Sequence, residues 1–110
     1  VDKAGPAAAA APELSQAQLR QLRGLAHALQ PVIRLGSAGV TPAVTAETAR
    51  ALRDHELIKV RAPGGDRAVR DALFATLART TGSAVVQRIG NVAVLYRPRA
   101  ALPRILIPET

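Results

Sequence analysis

The sequence predicts an α/β fold of order α-β-α-β-α-β-β around a four-stranded mixed sheet. Three observations predict it. Apolar residues switch between helical and two-residue spacing along the chain. Each switch is marked by proline, glycine or a helix-capping residue. A Gly90-Asn91 pair separates the last two apolar runs, which is a hairpin signal. Strands joined through single helices require parallel crossovers, whereas the closing hairpin is antiparallel, so the sheet is mixed.

The first helix opens with several start signals at once. Ser15 is a good N-cap, Gln18 completes a capping box, and Leu14 and Leu19 stand where a hydrophobic staple places them. Leu22, Leu25, Ala26 and Leu29 continue at helical spacing, which predicts a helix over residues 16–29. Arg20, Arg23 and His27 share another face of it. Pro31 ends this helix, and Val32 to Leu35 reads as a short strand. After a GxxG turn (Gly36, Ser37, Ala38, Gly39), Thr41 caps a second helix with Pro42 at its first position and Val44, Thr48 and Leu52 as its buried stripe. Leu57 to Arg61 alternates as a strand: Ile58 and Val60 face one way, Leu57, Lys59 and Arg61 the other. Asp66 caps a third helix carrying Val69, Ala72, Leu73 and Leu77, and Gly82 stops it. Ala84 to Ile89 and Val92 to Tyr96 form the hairpin. If Ile33, Leu35, Ile58 and Val60 face the helices, the opposite sheet face carries Arg34, Lys59 and Arg61 and is polar, basic and exposed.

A chain of 110 residues has room for one domain. Residues 1–13 read as a flexible low-complexity tail, 14–98 as the folded domain and 99–110 as an extended tail that Leu102, Ile105, Leu106 and Ile107 could anchor. Val, Ile, Leu and Phe make up 29 of the 110 residues, enough for a small aliphatic core. Fifteen basic residues, thirteen of them arginine, oppose eight acidic ones. Between Leu14 and Arg104 the balance is 14 basic to 5 acidic, an excess of nine positive charges that should attract a polyanion. The plain alternative is a basic surface kept for solubility. With no cysteine, disulfides, thiolate metal sites and cysteine nucleophiles are excluded. No apolar run approaches the ~18 residues of a membrane span, and residues 1–12 lack the apolar stretch of a secretory signal. The expectation is a cytoplasmic monomer that does not associate with membranes.

The GxxG turn has a physical case as a phosphate site. Two glycines let backbone approach an anion closely, and the helix starting at Pro42 would aim free N–H groups and its positive dipole end at the loop. The alternative is an ordinary strand-to-helix turn. His27 could donate to phosphate or stack on a base, or merely cap its helix. His55 suits a structural contact. His55-Glu56 invites a catalytic reading, but no third partner lies at useful spacing. Two histidines without cysteine make a poor metal site, so neither metal nor cofactor is expected. Phe74 and Tyr96 are the only aromatic residues, too few for a base-stacking platform.

Three stretches in this order carry a family likeness: LRGLAHALQPVIRLGSAGVT (Leu22 to Thr41), HELIKV (His55 to Val60) and IGNVAVLYRP (Ile89 to Pro98). With their spacing they cover roughly Leu14 to Pro98. The chain resembles the YhbY-like family, the single-domain form of the CRM (chloroplast RNA splicing and ribosome maturation) domain. The resemblance implies a fold like the C-terminal domain of translation initiation factor 3 with an added N-terminal helix. It also implies a non-enzymatic RNA-binding role on ribosomal RNA or precursors of the large ribosomal subunit. The family's RNA surface maps here onto Gly36, Ser37 and Gly39, with Arg20, Arg23 and His27 on the preceding helix. Gln30 and Ser37 stand where the family often has lysine, which removes positive charge beside the loop. Two basic surfaces are therefore candidates: the GxxG loop joined by Arg20, Arg23 and His27, which is the favoured one, and the sheet face with Arg34, Lys59 and Arg61. A module that contacts an acidic ribosomal protein or an assembly GTPase is the second reading, and an RNA-processing enzyme the third.

Overall fold

The computed structural model describes residues 11–99 together with Pro103, Ile105 and Ile107. The expectation for residues 1–13 falls largely outside these. The elements are α1 (Gln16–Ala26), β1 (Pro31–Arg34), α2 (Pro42–His55), β2 (Leu57–Arg61), α3 (Arg67–Thr81), β3 (Ala84–Ile89) and β4 (Val92–Tyr96). The predicted order and the mixed sheet both stand.

Local chemistry sets most boundaries. Both bonds of the Ser15 capping box form: Gln18 N–H donates to Ser15 Oγ at 3.1 Å, and Ser15 N–H donates to Gln18 Oε1 at 2.8 Å. Thr41 Oγ1 accepts Val44 N–H at 3.1 Å, and Asp66 Oδ1 accepts Ala68 N–H at 2.7 Å. Gly82 closes α3 in the left-handed region at φ 66°, where a side chain would be strained. The first helix, however, ends at Ala26 and not at residue 29. Leu29 N–H reaches back to Ala26 O in a turn, because Pro31 forces the residue before it out of helical conformation. β1 starts one residue earlier than its apolar run, and Leu35 still donates to Arg61 O at 2.8 Å.

The sheet order is β1-β2-β4-β3, with β1 parallel to β2 and both other pairings antiparallel. β4 thus inserts between β2 and β3. Helices α2 and α3 cover one face, where Ile33, Leu35, Leu52, Ile58, Val60, Phe74, Leu77 and Leu95 form the larger core. Each of these large side chains contributes roughly 1.5–3 kcal/mol through burial.

The opposite face corrects an expectation, for it is not uniformly polar and exposed. α1 lies across it, burying Leu22 and Ala26 against Leu57, Val86, Val94 and Tyr96, with Leu14, Leu19, Ile105 and Ile107 at the margin. The reason is legible in β4: VAVLY is apolar at every position, as a strand covered on both faces must be. α1 is too short to cover the whole face. The half beyond Ala26, towards the GxxG end of the sheet, stays open.

Candidate nucleic-acid interface

The register defines what the open half presents. Arg34 pairs with Arg61, Arg61 with Val92, and Val92 with Ile89, a row across all four strands. One row nearer α1, Lys59 pairs with Val94 and Val94 with Gln87. Partners in register point to the same side of a sheet, and Val94 belongs to the core beneath α1, so both rows lie on the α1 side. An irregularity between Val85 and Gln87 lets Val86 join the covered core while Gln87 stays half-exposed at the rim. His27, at the end of α1, completes the ring. His27, Lys59, Gln87, Ile89, Val92, Val94 and Ala26 line one cleft of about 250 Å³.

Arg20 and Arg23 lie further back along α1, on the flank that leads to His27. Helical rise puts Arg20 roughly 10 Å from His27 along the axis. His27 therefore adjoins Lys59, Arg20 and Arg23 continue back from it along the flank of α1, and none of the three lines the cleft of the GxxG loop. The loop and the α1 basic residues line different clefts: α1 packs on β2 and β3, while the loop leaves the far end of β1 and turns towards α3.

Around the loop, Gly36 O accepts Gly39 N–H at 3.0 Å, closing the turn. Gly36, Ser37 and Gly39 share a cleft of about 380 Å³ with Pro63, Gly64, Asp66, Arg70 and Leu73. The two glycines differ in kind. Gly39 has φ +73°, and a Cβ there would come within 3.1 Å of Leu73 Cδ2, so glycine is needed for the fold. Gly36 faces open space, and a Cβ there meets nothing within 4 Å. The anticipated fan of free amides is reduced, because Pro42 has no N–H and Thr41 takes that of Val44. Asp66 also brings a carboxylate to this cleft, and one N–H of its Arg70 guanidinium donates to Gly65 O.

The basic residues divide accordingly. Arg67 and Arg88 pair with Asp71, Arg97 donates to Thr81 O, and Arg99 donates to Arg53 O and Asp54 O. The Arg88 hydrogen bond holds the Asp71 carboxyl below its ordinary range; partial desolvation opposes this, and the charges of Arg88, Arg67 and Arg70 reinforce it. Arg20, Arg23, His27, Arg34, Lys59 and Arg61, by contrast, have no side-chain hydrogen bond or ion pair among the described residues. Arg50 and Arg53 on α2 and Arg79 on α3 are uncommitted in the same sense, but those of α1 and the open sheet flank a common cleft and the rows beside it. Arg34 links them to the loop, since Gly36 is two residues on. Sequence reasoning overlooked Gln87, Ile89 and Val92; the signal was a glutamine inside the apolar run AVVQRI, beside an isoleucine at a hairpin tip.

His55 is exposed at the end of α2, and Glu56 is fully buried, accepting backbone N–H groups from Arg99 and Ile105. The described residues contain no group of three or more His, Cys, Asp or Glu suited to a metal, and no helix long and apolar enough to cross a membrane.

Residues 14–97 match the CRS1 / YhbY (CRM) domain. An RNA-binding protein of Haemophilus influenzae is 46% identical over 95 residues, spanning 83% of this chain and 96% of the relative. "Probable RNA-binding protein YqeI" of Bacillus subtilis is 34% identical over 95 residues, spanning 86% and 99%. The solution structure of a Staphylococcus aureus protein, described as a candidate RNA binder, superposes with a TM-score of 0.75 at 32% identity, covering 87% of this chain and all of that one.

Proposed function

Because the chain belongs to the CRS1 / YhbY (CRM) domain family, we propose that it binds ribosomal RNA or its precursors and acts as an assembly factor for the large ribosomal subunit, without catalysing a reaction. The observation that carries this reading is the set of six uncommitted cationic or imidazole side chains on α1 and the open sheet. Arginine and lysine that have no internal partner keep their full charge for phosphate. The GxxG loop adjoins this band through Arg34, and open space around Gly36 lets a phosphate come up to the backbone.

In this reading an RNA strand follows the band from Arg20 and Arg23, past His27 and Lys59, over Arg61 and Arg34, to the turn at Gly36, Ser37 and Gly39. Affinity comes from phosphates and released counterions, and it should fall steeply with salt. The scattered acids support binding without turnover. Of the His55-Glu56 pair, the glutamate is committed to the backbone of the C-terminal segment.

The test is binding of a large-subunit ribosomal RNA fragment across a salt series. Replacing Arg20 and Arg23 by alanine together, or Lys59 and Arg61 together, should lower the log–log salt slope by about 0.7–0.9 per lost phosphate contact. An affinity indifferent to salt would remove the phosphate mechanism. Crosslinking in cells, followed by sequencing of the attached RNA, identifies the target; recovery of messenger or transfer RNA in place of large-subunit sequences would refute the ribosomal assignment. A protein-contact role draws on the apolar groove beside exposed Leu25 and Val32. It gains the lead if a ribosomal protein binds tightly while RNA does not.

A further inference from the structure

We propose that the cleft between the end of α1 and the β3–β4 hairpin is a seat for one unpaired nucleobase, so that RNA is held here by a base as well as by its phosphates. The proposal rests on the RNA-binding reading above and adds what that reading leaves open: the strand state of the RNA.

Shape comes first. The cleft measures about 250 Å³, below the roughly 300–1,000 Å³ of ordinary small-molecule pockets and suited to a single ring system. Its floor is aliphatic. Ile89 and Val92 stand opposite each other across the hairpin, with Val94 behind them and Ala26 at the helix wall. Ile89 is 66% exposed, which leaves a large apolar side chain at a hairpin tip uncovered. A flat base laid on this ledge would bury it without needing an aromatic partner, since a nucleobase also presents an apolar face.

The rim supplies what a base edge requires. Gln87 offers an amide that both donates and accepts, Lys59 offers an ammonium donor, and His27 an imidazole that can donate, accept or stack. Arg61 is in register with Val92, and Arg34 with Arg61, so phosphate partners lie immediately beside the ledge. An aliphatic floor, a polar rim and cations on the flank complement a nucleotide whose base has left its stack. A duplex, with bases stacked inside and only narrow edges outside, cannot use the floor.

The experiment uses the full chain with two probes, a short oligoadenylate and an abasic ribose-phosphate chain of the same length. Both carry the same phosphates, and only the first has bases. Oligoadenylate should bind about five- to tenfold more tightly. The methyl resonances of Ile89, Val92 and Val94 should show ring-current shifts with oligoadenylate and none with the abasic chain. Ile89→Ser should remove most of the affinity difference while leaving abasic binding unchanged. Salt-dependent binding of equal strength by both probes, without methyl shifts, would overturn the base seat and leave phosphate binding standing. Equal shifts produced by a duplex RNA would overturn the requirement for an unpaired base. Binding of neither probe would overturn this proposal together with the reading beneath it.

Discussion

Glu56 accepts the backbone N–H of Ile105 at 2.8 Å, tying the end of α2 to a residue 49 positions later in the chain. Its other carboxylate oxygen accepts Arg99 N–H, also at 2.8 Å, and the residue is fully buried with a left-handed φ of 65°. Such a group holds structure and is poorly placed to move a proton for a ligand. Tyr96 registers its charge: burial first, and Glu56 second, push the phenol pKa up. Glu56→Ala should cost roughly 2–5 kcal/mol in urea unfolding, because two partly buried N–H groups lose their fully buried acceptor. Glu56→Gln should cost about 1–3 kcal/mol, and His55→Ala, at an exposed position, about 0.5 kcal/mol or less. Comparable stability of all three variants would contradict the assignment.

The GxxG glycines should separate in a paired experiment. Gly39→Ala places a Cβ in the left-handed region against Leu73 and should lower stability by about 1–2 kcal/mol, seen as a lower melting temperature. Gly36→Asp should melt near the parent temperature, since nothing lies within 4 Å of its Cβ, yet weaken RNA binding by bringing a carboxylate to the phosphate path. If Gly36→Asp binds RNA normally, the strand does not reach the loop.

His27 and Lys59 line one cleft, so their effects on RNA affinity should not add. A double-mutant cycle of His27→Ala and Lys59→Ala, read by fluorescence anisotropy, should give a coupling of about 0.5–1 kcal/mol. Lys59→Ala and Gly36→Asp, which lie on separate clefts, should be additive within about 0.5 kcal/mol. The opposite pattern would restore a single surface centred on the loop.

Asp71 gives a pH dependence with a definite sign. Its folded pKa lies below the ordinary 3.8, chiefly through the Arg88 hydrogen bond. The contribution to stability is therefore present above the unfolded value and is lost as pH falls through the lower, folded one. Melting temperatures measured downward from about pH 5 should fall less steeply in Asp71→Asn than in the parent, and the curves should converge at the acid end. Arg88→Gln should behave alike. An unchanged acid limb in both would show that the pair contributes nothing in solution.

Much of the architecture was legible because short-range chemistry decides it. The Ser15 box, Thr41-Pro42, Asp66, Gly82 and the Gly90-Asn91 turn each satisfy or interrupt backbone hydrogen bonding within a few residues. What escaped was long-range. Leu25 and Leu29 keep helical spacing, so nothing local marks the end of α1 at Ala26 except Pro31, five residues away. The tail's attachment needed Glu56, whose partners lie 43 and 49 residues distant. The candidate site was half legible. Its basic residues were found, but their grouping depends on which sheet face α1 crosses, and only the unbroken apolar run of β4 hinted at that.

The margins of the sheet bear on how the protein behaves when concentrated. β1, at one edge, is four residues long, begins with a proline that has no N–H to offer, and gives way to the glycine turn. β3, at the other, is interrupted between Val85 and Gln87 and carries Arg88 beyond the break. Neither margin is a long, flat row of free amides and carbonyls on which a strand from another copy could grow. The chain can therefore leave Ile89 bare at its hairpin tip without inviting edge-to-edge aggregation, a hazard that an exposed apolar side chain on a longer, straighter edge would bring.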